Sequence, residues 1–493
     1  MGRQDEITKE RLRKIEELRK MGVNPYPHHF DKKQSTIEAL SSKLGSKIKT
    51  AGRLMTKRDL GKIAFAKLQD EHGKIQIVLQ KGQTPDNVFN LFKRYLDTGD
   101  FTGIEGKIIK TKTKEISILV KKIELLSKCI LPLPEKWHGL QDKEERYRKR
   151  YLDLIMNPEI GTIFRKRTQI LNIIREFLGK KDFLEVETPS LQPLYGGAEA
   201  RPFITKLNAL DMKLYLSISP EIYLKKLLVG GLGRIYTICK NFRNEGIDAT
   251  HNPEFTMMEI YASYWDYNNV KKMTEELLEI LAKKITGKTK IKFGDKEINF
   301  KGPYQSMKIE EAIKKYCKVD PCNERELMKK AKEFGFDGKT RDEAIQFLFD
   351  EKVESNLVQP TFIIDYPKSI CPLTKEHRVD PGKVERFELF VNGVELANAY
   401  TELNDPIEQE RRLEKQIEER EKSGKFKAHL EANELDEDFV NSMRYAMPPA
   451  GGIGIGIDRL TMFLTNQHSI RDVILFPFMK PEEKNKQEGK KNG

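Results

Sequence analysis

The 493-residue sequence predicts an α+β protein in which a small β-barrel precedes a larger unit with a central antiparallel sheet flanked by helices. Two observations support this. Residues 49–131 hold about five short alternating runs separated by glycines, a pattern typical of a small barrel or a small sandwich. Beyond residue 150, extended segments lie far apart among helical stretches instead of in regular strand–helix–strand units, which favours an antiparallel sheet.

The amino-acid composition indicates which partners and which cellular compartment to expect. The 88 Lys and Arg outnumber the 75 Asp and Glu, and the net charge of +13 favours a polyanion such as nucleic acid, with a well-solvated basic surface as the alternative. The mean hydropathy is −0.60, and no apolar run approaches the ~18 residues that a membrane span needs. Five scattered cysteines fit neither a disulfide framework nor a zinc site, and the first 20 residues show no export signal. We therefore expect a cytoplasmic protein that binds no membrane.

The chain is expected to divide into five segments. A helical apolar stripe in residues 4–22 predicts an appended N-terminal helix, and the Pro-rich stretch 131–134 followed by a basic stretch predicts a linker. A five-stranded oligonucleotide-binding barrel is the commonest small barrel that binds nucleic acid. The predicted segments are residues 1–30 (helix), 31–134 (barrel), 135–150 (linker), 151–480 (α+β domain) and 481–493 (a Lys-rich disordered tail).

The first segment with unusual chemistry runs from Arg234 to Tyr261. As two strands around a polar turn, it would place alternate side chains of the second strand on one face: Phe255, Met257, Glu259 and Tyr261. The Arg243 guanidinium suits a phosphate and the Phe255 ring suits a flat base, so the segment predicts a nucleotide-binding surface. An ordinary hairpin with an exposed arginine is the alternative.

The second segment is a glycine-rich strand near the C-terminus. Gly452, Gly454 and Gly456 alternate along it, which clears one face for a ligand or for a neighbouring backbone. We expect Asp458 to cap the following helix and Arg459 to lie in its first turn. The G-x-G-x-G spacing excludes the dinucleotide fingerprint, which requires G-x-G-x-x-G. Glycines that only allow tight sheet packing are the alternative.

The third segment contains a predicted hairpin at Asn392-Gly393. In a regular register Glu388 and Glu395 share one face, where two carboxylates could hold divalent cations that bridge phosphates. Other polar residues would then point away: Asn398, Tyr400 and Glu402. If all five serve one site, a β-bulge near Ala397 is required. A solvated acidic strand is the alternative.

Taken together, these strings resemble the signature motifs of the class II aminoacyl-tRNA synthetases, in the subclass with an N-terminal oligonucleotide-binding barrel. The segment Phe183–Pro189 and the helix before it resemble motif 1, which builds the dimer interface in that family. The string Arg243-Asn-Glu245 with Phe255 resembles motif 2, and the string 454–459 resembles motif 3. The resemblance covers nearly the whole chain and implies a homodimer.

Within the subclass the alternatives are lysyl, aspartyl and asparaginyl enzymes. Glu221 stands where aspartyl enzymes carry a glutamine, and with Glu259 and Glu402 it gives three acids, which suit a cationic amino acid and repel aspartate. The strings 242–246, 251–259 and 465–476 are also close to lysyl enzymes. The resemblance therefore implies ATP-dependent ligation of L-lysine to tRNA(Lys) through a lysyl-adenylate, releasing pyrophosphate and then AMP.

The resemblance also implies site residues. Those around lysine would be Gly197, Glu221, Glu259, Tyr261, Asn398, Tyr400 and Glu402. Those at ATP would be Arg243, Glu245, His251, Asn252, Phe255, Glu388, Glu395 and Arg459, with Arg243 and Arg459 catalytic and Glu388 and Glu395 holding Mg²⁺. Those at the anticodon would be Arg58, Phe65, Gln76 and Glu115.

Two rivals of other kinds remain. One is a catalytically silent relative that binds RNA or acts as a scaffold, against which the intact Arg243, Glu388, Glu395 and Arg459 argue. The other is a relative that lysylates a protein, but such enzymes tend to lack the barrel. Assembly with other synthetases is left open.

Overall fold

The computed structural model describes residues 2–134, 140, 142–423 and 436–481. The chain forms two compact units, Met1–Pro158 and Glu159–Gly493. Among the described residues, every helix is too short or too polar to cross a lipid bilayer. Apart from Pro481, the predicted Lys-rich tail lies outside the described residues.

The first unit is built on a closed five-stranded barrel with the strand order β1-β2-β3-β5-β4. Its strands are β1 (Lys47–Asp59), β2 (Ile63–Gln69), β3 (Lys74–Gln80), β4 (Phe101–Lys110) and β5 (Ile116–Ser127). Along β2 the side chains of Ala64, Ala66 and Leu68 are buried while those between them face outward, the period-two pattern of a barrel wall. The prediction of a small β-barrel is confirmed, and the sandwich is excluded.

The first unit also contains helices. They are α1 (Arg3–Lys20), α2 (Thr36–Leu40), α3 (Asp86–Tyr95), α4 (Lys143–Arg148) and α5 (Arg150–Met156). The predicted N-terminal helix α1 is anchored to the barrel, because Leu18 is part of the barrel core. The buried Arg11 also donates hydrogen bonds to the carbonyl oxygens of Thr98, Cys129 and Leu131 at 2.9–3.1 Å.

The described part of the predicted linker is helical. Helix α4 lies within residues 142–150, and Arg150 at the start of α5 is buried against Asp153 with an Nη1–Oδ2 distance of 2.8 Å. The division between the two units falls after Pro158. The domain boundaries given above stay predictions.

The second unit contains an eight-stranded sheet with the order β14-β15-β16-β17-β18-β11-β10-β6. Its six central strands are antiparallel, as predicted, and the edge strands β14 and β6 pair in parallel with their neighbours. The strands of this sheet are β6 (Leu184–Glu185), β10 (Arg234–Phe242), β11 (Glu254–Ser263), β14 (Gln305–Lys308), β15 (Thr361–Ile364), β16 (Arg386–Val391), β17 (Val394–Thr401) and β18 (Ala450–Gly456). Two smaller sheets contain β7 (Leu191–Gln192), β8 (Ile204–Leu207) and β9 (Met212–Leu216), and β12 (Lys290–Phe293) and β13 (Lys296–Asn299).

One face of the large sheet is covered by helices. The helices of this unit are α6 (Ile160–Gly179), α7 (Glu221–Val229), α8 (Tyr267–Thr286), α9 (Ile309–Cys317), α10 (Glu324–Glu333), α11 (Arg341–Leu348), α12 (Pro406–Ser423), α13 (Glu437–Met443), α14 (Ile457–Thr465) and α15 (Ile470–Val473). Apolar side chains of α6, α8 and α14 form one core with Met258, Ile260, Ile453 and Ile455 of the central strands. Because side chains alternate along a strand, Glu259 between the first two and Gly454 between the last two lie on the opposite face of the sheet.

The prediction that Asp458 caps a helix is wrong. Helix α14 begins at Ile457 with Gly456 in the capping position. The buried Asp458 carboxylate instead accepts a hydrogen bond from the Thr256 backbone N–H at 2.6 Å and lies 2.6 Å from Arg167 Nη1 on α6. Strand β18 runs directly into the helix, so the aspartate lies inside the first turn, where it joins α14 to β11 and α6. Arg459 does lie in that first turn, as predicted.

We predict that Gly452→Ala destabilises the protein. A Cβ at this position would lie 2.1 Å from Glu402 Oε1 and 2.6 Å from Tyr261 Cε1, and overpacking of this kind costs about 1–3 kcal/mol. Thermal unfolding of the full chain should show a lower midpoint. Gly179→Ala at the end of α6 is the control, since a Cβ there meets nothing within 4 Å. Equal midpoints for the two variants would contradict the prediction.

Candidate active site

The opposite face of the large sheet forms the floor of a cavity of about 900 Å³, and α7 and α13 pack against Ile235 and Tyr261 on this side. Almost all the site residues predicted for the second unit line it: Gly197, Glu221, Arg243, Glu245, His251, Asn252, Phe255, Glu259, Tyr261, Glu388, Glu395, Asn398, Tyr400 and Arg459. Glu402 is not part of the lining and is fully buried. Residues that are distant in the sequence are therefore brought into one concave surface.

The hairpin of β10 and β11 supplies an arginine and an aromatic ring. Phe242 pairs with Glu254, and the strand alternation turns Phe255, Met257, Glu259 and Tyr261 toward the cavity, as predicted. The Arg243 guanidinium carbon lies 5.1 Å from the centroid of the Phe255 ring. Arg243 Nε is buried and has no hydrogen-bond partner among the described residues, so a donor is available for an anion.

The predicted bulge is present in the hairpin of β16 and β17. Leu389 pairs with Ala397 but Phe390 pairs with Glu395, which leaves Leu396 as the extra residue. Glu395 and Asn398 are three positions apart, which would put them on opposite faces of a regular strand, and the extra residue of the bulge brings them to the same face. Glu388, Glu395, Asn398 and Tyr400 accordingly all line the cavity.

Glu388 is held by several neighbours. Tyr366 Oη donates to its Oε2 at 2.6 Å, while Arg386 forms an ion pair with Oε1 and Asn398 Nδ2 donates to Oε1 at 3.3 Å. Burial raises the pKa of Glu388, and the charge of Arg386 opposes that rise. Glu395 is less buried, and both its backbone carbonyl and its carboxylate face Arg459, at 2.7 and 3.4 Å.

Glu388 and Glu395 together offer hard oxygen ligands. Within the described residues no group of three or more His, Cys, Asp or Glu side chains is arranged to hold a metal ion. A pair of carboxylates nevertheless suits Mg²⁺, which commonly uses one or two carboxylates together with substrate phosphates and water. The donor set therefore fits a cation that is completed by a phosphorylated ligand.

A basic group lies near these carboxylates. Arg459 Nη2 is 3.2 Å from His251 Nε2, and His251 Nδ1 is 2.8 Å from Asp248 Oδ2. The amide of Asn252 is engaged at both ends, because Nδ2 donates to the Glu254 carbonyl and Oδ1 accepts from the Phe478 backbone N–H. Glu245 Oε1 accepts a hydrogen bond of 3.4 Å from the Arg201 backbone.

Another part of the site is rich in buried acids. Glu259 accepts hydrogen bonds from Ser219 Oγ at 2.8 Å and from Tyr261 Oη at 3.1 Å. Burial raises the pKa of Glu259 to about 8, and burial raises that of Glu402 to about 8 although Lys225 opposes it. Such desolvated carboxyls bind protons when no cation is near and favour a cationic ligand.

Gly197 approaches this acidic part closely. Its φ is +82°, and a Cβ at this position would lie 2.8 Å from the Cβ of Glu221. A larger residue would therefore be both strained and in contact with the acid side chain.

Two cations of the site were not predicted from the sequence: Lys225, which is buried, and Arg386, which is half-buried. Lys225 lies 2.7 Å from both Glu221 and Glu402, and Arg386 contacts Glu388 and Asn398. Their spacing gave a usable signal. Lys225 follows Glu221 by four residues on a helix, and Arg386 precedes Glu388 by two residues on a strand, so each pair shares a face.

A second candidate surface lies on the outer wall of the barrel. Arg58 pairs with Phe65 across β1 and β2, and Gln76 Nε2 donates to Ser117 Oγ at 2.9 Å. Glu115 forms an ion pair with Lys67, a neighbour that the sequence analysis did not select. Arg58, Phe65 and Gln76 thus lie on the adjacent strands β1, β2 and β3, and Glu115 lies just before β5, an arrangement similar to barrels that bind single-stranded nucleic acid.

Comparison with known proteins agrees with this architecture. Residues 142–480 match the family of tRNA synthetases class II (D, K and N), and residues 48–126 match the OB-fold nucleic acid binding domain. A protein of Carboxydothermus hydrogenoformans named lysine--tRNA ligase is 48% identical, over 97% of this chain and 99% of its own length. Proteins of the same name from Methanoculleus marisnigri and Clostridium tetani are each 46% identical, over at least 95% of this chain and 94% of their own lengths. With matches that extend over both units, the chain belongs to the class II tRNA synthetases of the D, K and N group, in the family of the lysine--tRNA ligases.

Proposed function

We propose that the protein joins L-lysine to tRNA(Lys) with the consumption of ATP, through a lysyl-adenylate. The observation that carries the proposal is the division of one cavity into two chemical parts. Buried acids around Glu259 suit a small cationic amino acid, while Arg243 and Phe255 suit a phosphate and a base. Family membership and the names of the full-length relatives support the same reaction.

In this proposal the acids recognise the two ammonium groups of lysine. One of the glutamates binds the ε-ammonium and the others bind the α-ammonium: Glu221, Glu259 and Glu402. The remaining lysine-binding residues complete the pocket: Gly197, Tyr261, Asn398 and Tyr400. The buried position of the acids makes their preference for a cation stronger than it would be in water, and aspartate would be repelled.

The other part of the cavity binds ATP. Phe255 stacks on adenine, Glu245 contacts its amino edge, and Arg243 binds the α-phosphate. His251 and Arg459 reach the distal phosphates, and Asn252 holds the loop through its two backbone hydrogen bonds. Glu388 and Glu395 would hold Mg²⁺ with ATP, and the ion would neutralise charge on the phosphates.

Catalysis then follows from positioning and charge. The lysine carboxylate attacks the α-phosphorus in line, the bond to the β-phosphate oxygen breaks, and pyrophosphate leaves. Arg243 stabilises the charge that develops on the α-phosphoryl oxygens, and Arg459 that on the leaving group. The terminal ribose hydroxyl of tRNA next attacks the aminoacyl carbonyl, and AMP leaves.

The barrel surface is proposed to bind the anticodon. Phe65 would stack on a base, while Arg58, Gln76 and Glu115 would contact the backbone and the polar base edges. We also propose a homodimer, which exposed apolar residues of the second unit, Leu191, Ile204 and Leu210, support. A role in tRNA charging supports the expected cytoplasmic location.

The purified protein should exchange radioactive pyrophosphate into ATP when lysine is added. Aspartate and asparagine, assayed in parallel, should give no exchange, because the acidic pocket repels a carboxylate and leaves a neutral amide poorly matched. Bound ATP with no exchange for any of the three amino acids would support the catalytically silent RNA-binding relative instead.

Glu402→Gln should raise the KM for lysine by about tenfold or more while the KM for ATP changes by less than about twofold. The substitution removes charge from the amino-acid pocket and leaves Arg243 and Phe255 in place. Glu254→Gln is the control, since that side chain is 54% exposed and pairs with Lys240 on the surface. Equal rises in both constants would count against the assignment of Glu402.

Phe65→Ala should weaken tRNA aminoacylation by about fivefold to a hundredfold in kcat/KM for tRNA, the value of one lost base–aromatic stack. Lysine-dependent pyrophosphate exchange should be unchanged, because it needs no tRNA. Phe101→Ala offers a matched control, as Phe101 is another partly exposed ring on the barrel, covered by Arg53 at 4.2 Å. Similar losses in both variants would refute a specific role for Phe65.

A further inference from the structure

A fully buried lysine side chain lies behind the acidic part of the cavity. Lys225 belongs to α7, and its side chain is 0% exposed. Its Nζ lies 2.7 Å from Glu221 Oε1, four residues earlier on the helix, and 2.7 Å from Glu402 Oε2, which follows β17. One ammonium group thus links the helix to the sheet.

The ionisation state of this lysine is fixed by its partners. A buried ammonium is strongly unfavourable unless anions surround it. Burial alone lowers the pKa of Lys225, but the charges and hydrogen bonds of Glu221 and Glu402 outweigh burial and hold that pKa above the usual value. Lys225 therefore carries its positive charge throughout the pH range of an enzyme assay.

The two oxygens of Glu402 are in different surroundings. Oε2 lies 2.7 Å from Lys225 Nζ and Oε1 has no such ion-pair contact, while neither oxygen accepts a hydrogen bond of good geometry from a described residue. Oε1 lies over Gly452 beside the Tyr261 ring, in space that any side chain at position 452 would fill. A buried carboxylate oxygen without a donor is uncommon and points to a ligand that supplies one.

We propose that Lys225 is a positioning residue for the amino-acid substrate: its buried ammonium favours the ionised form of Glu402 and holds that carboxylate in place beside the lysine pocket, where its charge attracts the substrate ammonium. The proposal rests on the proposed function, in which Glu402 belongs to the lysine pocket. Lys225 itself touches no substrate. It acts through the charge that it places behind the carboxylate.

This role predicts how the affinity for lysine changes with pH. The titratable or charged groups near Glu402 are Lys225 and Glu221 from α7, Tyr261 from β11 and Tyr400 at the end of β17. Glu259 lies one contact further away and accepts a hydrogen bond from Tyr261 Oη. Because a raised pKa means that the empty pocket holds protons below about pH 8, lysine affinity should increase as the pH rises and level off above that value. Loss of the Lys225 charge would raise the pKa of Glu402 further and move the plateau to higher pH.

The test compares Lys225→Met and Lys225→Gln with the unmodified protein. The KM for lysine and the KM for ATP are measured by pyrophosphate exchange from pH 6.5 to 9.5. At pH 7 we expect the KM for lysine to rise by about tenfold or more, the effect of about one pKa unit, and the ratio to the unmodified protein should shrink toward pH 9.5. The KM for ATP should stay within about twofold.

Two controls separate this role from a structural one. Lys226→Met removes the neighbouring lysine, which pairs with Asp438 at the surface, and should leave both constants unchanged. Lys225→Gln retains hydrogen-bond donors, so it provides a folded, uncharged variant if Lys225→Met fails to fold; thermal unfolding reports on both.

The outcomes are distinct. A rise in the KM for lysine that is the same at every pH, or equal rises for lysine and ATP, would overturn the role of Lys225 and leave the proposed function intact. No lysine-dependent exchange by the unmodified protein would overturn both. A shifted plateau in either folded variant supports the proposal.

Discussion

The site depends on burying charged side chains against the large sheet, away from water. An unpaired buried carboxylate costs several kcal/mol, so each must have a partner that the fold supplies. The acids and their partners are Glu221 and Glu402 with Lys225, Glu388 with Arg386 and Tyr366, and Glu259 with Ser219 and Tyr261. The partners come from different elements of the second unit, which ties the helix α7 and the strands together around the charges. The charge balance of the site consequently depends on how α7 and the strands pack together.

The glycine-rich strand makes this arrangement sterically possible. Strand β18 lies between β11 and β17, and a Cβ at Gly452 or Gly454 would lie within 2.6 Å of a side-chain atom of a neighbouring strand. The absence of side chains on that face lets Glu402 and Tyr261 lie across the strand. On the other face, Ile453 and Ile455 pack into the helical core. At the end of the strand, Asp458 pairs with Arg167 and bonds to the Thr256 backbone, which fixes the strand relative to its helices.

The two parts of the cavity carry opposite charges on the same sheet. One is rich in carboxylates that prefer a cation, and the other offers Arg243 and Arg459 to anions. In the proposed reaction this polarity orients a zwitterionic amino acid, because its ammonium groups are drawn to the acids while its carboxylate faces the bound α-phosphate. Lys225 adds a positive charge behind the acidic wall of the cavity. A fixed internal cation sets how readily the wall ionises, and thereby how strongly it attracts the substrate.

Patterns in the sequence are enough to predict the barrel, the antiparallel character of the large sheet and the strand face that carries Phe255, Glu259 and Tyr261, whereas most other cavity residues were expected only from the family resemblance. Local patterns suffice there because strand alternation and the Asn392-Gly393 turn depend on near neighbours. The condition that five polar residues share one site predicted a bulge near Ala397, and the structure has it at the adjacent Leu396. The long-range partners of buried charges, by contrast, follow only from the tertiary structure. Asp458 matched a helix cap in sequence but meets Arg167, and Lys225 was overlooked although it shares a helix face with Glu221. The Asp458–Arg167 and Glu402–Lys225 pairs join residues more than a hundred positions apart, and their energies depend on burial that no local pattern reports.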